Sequence, residues 1–417
     1  MPTDSTDVGV TRFKIEKGLL SKIPGPVPLS PSVQRSLALA PLSHVSPEFV
    51  KIFQESLHMT RKVVHTNSSS TAFILAGSGT FGWDQVGANL IETGDRVLVI
   101  HTGYFGEGFK DCLETYGAKV DVVKSVLGGT VPINEIEKAL RTAGSQPYKL
   151  VTITHVDTST GVLSDARSIA ASVRRISPST LVVLDAVCSL ASEDVQMDAW
   201  GLDVVLSASQ KGLGAPPGLS ILVASQRTVS GFEDRIKRGV KSGSYYSSWQ
   251  KWLPIMRAYD QNKPAYFGTP AVNLVRAYHA SLLEITDGPI TLPQRLALHR
   301  AASDLVKKAG EALGMIQVAH EPNGRAHGMT ALYVPNIKGL SLTAADILAC
   351  VGKRGVVMAG GLVAEVKEKY IRIGHMGWSV VGGNGKDVQF VVKVLEEAVK
   401  EAIEISRKKT STVSARL

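Results

Sequence analysis

Leu181-Val-Val-Leu-Asp185-Ala-Val-Cys-Ser189, followed by Val205-Leu-Ser-Ala-Ser-Gln-Lys211-Gly-Leu-Gly-Ala-Pro-Pro-Gly218, decides how this chain is read. An apolar run that ends in aspartate predicts a strand buried on both faces with a carboxylate at its C-terminal end. A buried carboxylate is costly unless something pairs with it. The lysine lies between a second apolar strand and a loop rich in glycine and proline, an odd setting for a solvated surface charge. Partial desolvation would lower its pKa and keep a free amine available near neutral pH. Taken alone, Lys211 reads as a loop lysine facing water and Asp185 as a strand-end turn residue. Their order, with one strand between them, makes them a chemical pair.

Outward from this stretch, residues 73–224 alternate short apolar runs with amphipathic helical segments. Strands are expected at 96–101, 119–123, 150–154, 181–185, 204–207 and 220–223. Strands apolar on both faces and separated by helices imply a mainly parallel sheet covered on both sides, hence an α/β fold. Residues 273–313 read as long helices broken near Gly288-Pro289, and a smaller C-terminal α+β unit follows, with strands at 330–334, 356–358 and 370–374 and a final helix near 388–405. Pro24-Gly25-Pro26-Val27-Pro28 forces an extended, turn-rich segment that is expected to wrap over a surface. The division expected is an N-terminal extension at 1–22, a large domain at 23–285, a small domain at 286–406 and a flexible tail at 407–417.

After the strand-like run Phe73-Ile-Leu-Ala76 and before the strand expected at 96–101, Gly77-Ser78-Gly79-Thr80-Phe81-Gly82 formally matches a dinucleotide-binding glycine loop. That reading needs an acid at the end of the next strand to hold a ribose, and the run ending His101-Thr102-Gly103 has none. A single phosphate group at a helix N-terminus is the better fit. A dinucleotide and a purely structural turn stay as the alternatives.

The chain has 417 residues and a net charge of +9, enough length for more than one core. No basic stripe with interleaved aromatics suggests nucleic acid, and no apolar run approaches the roughly 20 residues that span a bilayer. Cys112, Cys188 and Cys350 lack metal-ligand spacing and read as small buried hydrophobes in a reducing compartment. The first seven residues, with two acids and no apolar core, argue against a secretory or mitochondrial leader. Ala415-Arg416-Leu417 is a small-basic-Leu ending similar to the peroxisomal Ser-Lys-Leu address, after a polar stretch suited to being read by an import receptor. The expected location is the peroxisomal matrix, with the cytoplasm as the alternative.

These segments together resemble the class V, fold-type I aminotransferases, most closely the alanine–glyoxylate aminotransferases of the fungal kind. The likeness runs from Ile23-Pro-Gly-Pro-Val-Pro through His44-Val-Ser-Pro-Glu-Phe, the glycine loop, His155-Val-Asp-Thr-Ser-Thr-Gly161, Asp185-Ala-Val-Cys-Ser189 and Ser209-Gln-Lys211 to Tyr370-Ile-Arg-Ile-Gly-His-Met-Gly377. It implies pyridoxal 5'-phosphate as cofactor, carried by Lys211 as a Schiff base, with Asp185 on the protonated ring nitrogen. It also implies a seven-stranded-type sheet in the large domain. Ser78, Gly79, Thr80 and Gln210 would hold the phosphate, Phe105 would stack on the ring where many relatives have Trp, and Thr158 would bond the ring's phenolic oxygen. Tyr266 and Thr269 resemble phosphate ligands donated by a partner subunit, which implies a homodimer with shared active sites. Arg372 would clamp the substrate carboxylate in a bidentate fork.

The activity implied is ping-pong transfer of the amino group from alanine to glyoxylate, giving pyruvate and glycine. Only one arginine suits a carboxylate, so a small neutral donor is expected, with serine as the alternative to alanine. Rival classes are a desulfurase-like lyase, disfavoured because Cys350 sits in an apolar helix-like run, an NAD-dependent dehydrogenase, and a non-catalytic binding protein.

Overall fold

The computed structural model describes residues 20–414. Its centre is a seven-stranded sheet in the order Thr71–Ala76, Leu219–Ala224, Val204–Ala208, Leu181–Asp185, Leu150–Thr154, Arg96–His101 and Lys119–Lys124. Leu219–Ala224 is antiparallel to both of its neighbours, and the remaining pairs are parallel. Parallel strands bring their carboxyl ends to one edge of the sheet. Register places Asp185 opposite Thr154 on one side and Leu206 on the other.

The inner strands are buried along their length, as expected of apolar runs covered by helices on both faces. Lys119–Lys124 departs from that expectation. It is an edge strand whose Lys119, Asp121, Val122 and Lys124 are exposed, because no further strand or complete helix layer covers it.

Local signals start the helices. Ser46 accepts from the Phe49 amide at 3.3 Å and Pro47 opens the helix Pro47–Val63, while Thr291 and Gln294 form a reciprocal capping box on Leu292–Ala312. Pro47–Val63 packs against Val272–Thr286, and Phe49, Phe53, Tyr259 and Tyr278 are buried in the large-domain core. The break expected near Gly288-Pro289 falls between Val272–Thr286 and Leu292–Ala312.

The smaller unit has a three-stranded antiparallel sheet, Met329–Tyr333, Tyr370–Gly374 and Ala359–Gly360 in that order, with its own apolar core. Its last helix runs Lys386–Ser414. The flexible tail expected from 407 is therefore helical as far as Ser414, since Arg407-Lys408-Lys409 continues a helix nucleated and packed further upstream. Ala415, Arg416 and Leu417 lie outside the described residues, as do residues 1–19 of the expected extension.

The proline-rich segment is more than a surface wrap. Leu20–Ser21 pairs in parallel with Val356–Val357, and the Gly374 amide donates to the Lys22 carbonyl at 2.6 Å. Seven residues after Leu20, the Val27 amide donates to the Gln210 carbonyl at 3.1 Å. This strap thus runs from the small sheet to the loop that bears Lys211.

Candidate active site

Five of the sheet's strands end beside one cleft of about 590 Å³, and its walls include Ser78, Gly79, Thr80, Asp185, Gln210 and Lys211. Strand Leu181–Asp185 delivers Asp185 at its last residue, 3% exposed. Its Oδ2 accepts from Trp83 Nε1 at 2.7 Å and its Oδ1 from the Val187 amide at 3.0 Å. Burial pushes the carboxyl up to about 6, against the two donors, which pull it down. No cation lies within ion-pair distance of it among the described residues.

Strand Val204–Ala208 leads through Ser209 and Gln210 to Lys211, whose Nζ donates to the Pro24 carbonyl of the strap. Burial holds this amine below its ordinary range. Gly25 makes the approach possible: its φ is +85°, and a Cβ there would come within 2.4 Å of Lys211 Cδ. Among the described residues Lys211 has no carboxylate partner either. A buried amine and a buried carboxylate that share a cleft without pairing leave room for a group that satisfies both.

The glycine loop connects Thr71–Ala76 to the helix Thr80–Leu90, and no side chain caps that helix at Gly79. The Phe81 and Gly82 amides bond back to the Ser78 and Gly79 carbonyls, the amides before them are left open to an anion, and the hydroxyls of Ser78 and Thr80 stand 2.5 Å apart beside them. A Cβ on Gly79 would meet Val187 at 2.8 Å. Gln210 has a buried side-chain oxygen with no partner. Uncapped amides and paired hydroxyls fit a phosphate. The lone buried carboxylate fits a pyridinium, and the desolvated lysine fits an aldehyde. The residues present thus suit pyridoxal phosphate.

Phe105 and Thr158 also line the cleft. Phe105 is the second residue of the helix Tyr104–Thr115, and the buried carboxylate of Asp157 holds it there, accepting from the Phe105 amide at 3.0 Å and the Gly106 amide at 3.4 Å. Arg372 lies on strand Tyr370–Gly374, where Ile371 and Ile373 are fully buried on the opposite face. Its Nε donates to the Gly360 carbonyl at 2.7 Å and its Nη1 to the Thr158 carbonyl at 3.2 Å, which anchors the guanidinium beside the cleft and leaves Nη2 without a hydrogen-bond partner among the described residues. Tyr266 and Thr269 are exposed and do not line the cleft within the chain; Tyr266 instead sits 5.2 Å from the His44 ring.

Four contributors escape sequence reasoning. Trp83 sits three residues beyond the start of its helix, and only folding brings its indole to Asp185. Pro24 and Gly25 roof Lys211 from nearly two hundred residues away. Cys188, read as a small hydrophobe, is buried as expected but lines the cleft, where desolvation lifts its thiol to about 12 and keeps it inert. Cys350 packs in the small-domain core as expected, whereas Cys112 is only half-buried. Arg295 is the fourth, 5% exposed, with Nε donating to the Ala191 carbonyl at 3.1 Å and Nη2 to the Gly212 carbonyl at 2.9 Å. It staples the loop after Asp185 to the loop after Lys211. Spacing along the chain carries no signal for such a staple, though an arginine in the first turn of a capped helix is a weak one.

A family model for class-V aminotransferases matches residues 34–378. Among curated proteins, the alanine–glyoxylate aminotransferase 1 of Saccharomyces cerevisiae is 43% identical over 370 residues, covering 87% of this chain and 93% of its own. A serine–glyoxylate aminotransferase of Hyphomicrobium methylovorum is 31% identical, over 85% of this chain and 84% of its own. Among solved structures, an alanine–glyoxylate aminotransferase from Nostoc sp. superposes with a TM-score of 0.82 at 25% identity, covering 96% of this chain and 100% of that one.

Proposed function

The chain belongs to the class-V aminotransferases and is a pyridoxal-phosphate enzyme of fold type I, and from that premise we propose that it transfers the amino group of alanine to glyoxylate, yielding pyruvate and glycine. The observation that carries the reading is that Lys211 and Asp185 line one cleft, with Arg372 anchored at its edge on the Thr158 carbonyl. Bound there, pyridoxal phosphate supplies an electron sink for the pair of electrons left on the substrate's α-carbon.

The chain's own groups do the rest. Thr80, Ser78 and the open helix N-terminus hold the phosphate, while Gln210 adds an amide. Asp185, anchored by Trp83 and Val187, keeps the ring nitrogen protonated. Arg372 fixes the carboxylate of the amino acid with the guanidinium edge its backbone contacts leave free. Lys211 carries the cofactor through Nζ. When not bonded to the cofactor, Nζ would be placed to take the substrate's α-proton, which requires a desolvated, neutral amine. Pro24 and Gly25 lie over Nζ, and the Pro24 carbonyl accepts from it.

Alanine is favoured as donor because Lys211 is the only cation among the residues lining the cleft, and Arg372 is engaged at its edge, so no second cation is placed for an acidic side chain. The 43% identical yeast relative, an alanine–glyoxylate aminotransferase, supports the same choice. The test is a panel of amino donors with glyoxylate as acceptor, with Lys211→Ala as the inactive control that also loses the visible absorption band. Alanine is expected to give the highest kcat/KM; a higher value for serine would overturn the assignment of donor.

We further propose that Tyr266 and Thr269 complete the phosphate site of a partner subunit in a homodimer. Their exposure on this chain, away from its own cleft, supports that reading. Import into peroxisomes through Ala415-Arg416-Leu417 rests on the sequence ending alone. Removing the three residues is expected to leave kcat unchanged and shift a fluorescent fusion to the cytosol, and an unchanged location would refute the address.

A further inference from the structure

The opposite edge of the central sheet carries a second cleft, of about 630 Å³, where strands Leu150–Thr154 and Leu181–Asp185 begin rather than end. Lys149 and Ser179 border it on the strand side. The helix Gln226–Lys237 borders it on the other, through Arg227, Thr228, Gly231 and Arg235. Residues 227, 231 and 235 fall at i, i+4 and i+8, so two arginines flank a glycine along one helical face. None of the residues lining this cleft is acidic.

Three cations converging without a carboxylate among them focus a positive potential inside the cleft. The nearest acids are Glu92, paired with Arg238 but also acting on Arg235 and Lys149, Asp95, which acts on Arg235, and Asp203, paired chiefly with Arg174 and with its other oxygen 3.8 Å from Arg227 Nη1. Arg227 is oriented by the Ser179 carbonyl, 2.6 Å from its Nη2. Arg235 is 6% exposed and spends Nη2 on the Lys241 carbonyl at 2.9 Å and Nη1 on that of Ala88 at 3.3 Å, leaving a buried Nε with no partner. Lys149 is exposed and has no ion-pair partner among the described residues.

Gly231 adds an independent observation. Glycine in mid-helix is disfavoured, and usually a tight contact demands it. Here a Cβ would meet nothing within 4 Å. Gly231 is exposed to solvent and lines the cleft, whose floor at that point is bare helix backbone open to a ligand.

We propose that this cleft binds a phosphate group, as the free ion or as the monoester of a small molecule, at a site separate from the catalytic cleft. Guanidinium forks with an ammonium match the size and multiple charge of a tetrahedral oxyanion. The cleft is open enough to admit the organic part of an ester.

The experiment is calorimetric titration of the pyridoxal-phosphate-saturated enzyme with inorganic phosphate and, separately, with glycerol 2-phosphate, at ionic strength held constant with chloride. One saturable site per chain is expected, with no change in the visible absorption band. Lys149→Gln, which removes an exposed charge, and Gly231→Leu, which fills the floor without altering charge, are each expected to weaken binding at least tenfold and to leave transamination intact. Tighter binding of the ester than of the free ion identifies a monoester as the ligand, and the reverse identifies the ion. Heats matched by chloride, binding unaffected by both substitutions, or displacement of the cofactor would each overturn the proposal. None of these outcomes depends on which amino donor the enzyme uses.

Discussion

Asp185 shows how much one buried carboxylate can report. In the cofactor-free protein its pKa is raised from 3.8 to about 6, chiefly by burial. The folded form therefore binds this proton more tightly than the unfolded chain, so its contribution to stability is full below about pH 4 and is lost as the pH rises to about 6. At about 1.4 kcal/mol per pKa unit the swing is roughly 3 kcal/mol. Asp185→Asn is expected to remove that slope: the stability difference between wild type and variant, measured by denaturant unfolding of the apo forms from pH 4 to 7, should move in favour of the variant as pH rises. A flat difference would mean the carboxylate is solvated. The same substitution should weaken cofactor binding, because an amide cannot balance a pyridinium. The aspartate was legible in the sequence because an acid ending a buried strand is conspicuous. Its partner Trp83 was not, because an indole in an amphipathic helix looks the same whether it faces core or carboxylate.

Among elements, the strap at residues 20–27 has the largest effect for its size. It adds a strand to the small domain through Leu20–Ser21 and then lays Pro24 and Gly25 over Lys211. Gly25→Ala is expected to do two things. The residue must adopt a positive φ, a conformation costing an alanine about 1–2 kcal/mol, and its methyl must displace the Lys211 side chain. A loss of at least tenfold in kcat, with the enzyme still folded by circular dichroism, is the expected reading. Activity within twofold of wild type would show that the strap does not constrain the lysine. Sequence reasoning placed the proline-rich turn and saw that it would be extended. It could not see what lay beneath, because the partner atoms are separated by nearly two hundred residues. The final helix taught the converse lesson: a polar, basic stretch looked like a solvated tail, yet helical propensity and an upstream packed face carry the helix through to Ser414.

At the scale of the whole molecule, the cleft built by one chain lacks two expected phosphate ligands, Tyr266 and Thr269, which stand exposed elsewhere on the same chain. If a partner supplies them, two different inactive variants should repair each other. Lys211→Ala and Tyr266→Ala, unfolded together and refolded as a mixture, are expected to form heterodimers with one intact site. The mixture should then exceed the summed activity of the separately refolded variants several-fold. No gain over that sum would place Tyr266 outside the partner's site.

The sequence by itself determined the α/β class, the strand positions of the large sheet to within a residue or two, and the lysine, aspartate and glycine loop around which the cleft forms. Those are local properties: apolar period, capping, and charges in settings too apolar to be idle. The tertiary structure alone decided the contacts made across the sheet edge and between domains, namely Trp83 on Asp185, Arg295 joining two loops, Pro24 and Gly25 over Lys211, and Lys149 with Arg227 and Arg235 around one cleft. Each unites residues far apart along the chain, and a folded surface brings such residues together through packing that no local pattern encodes.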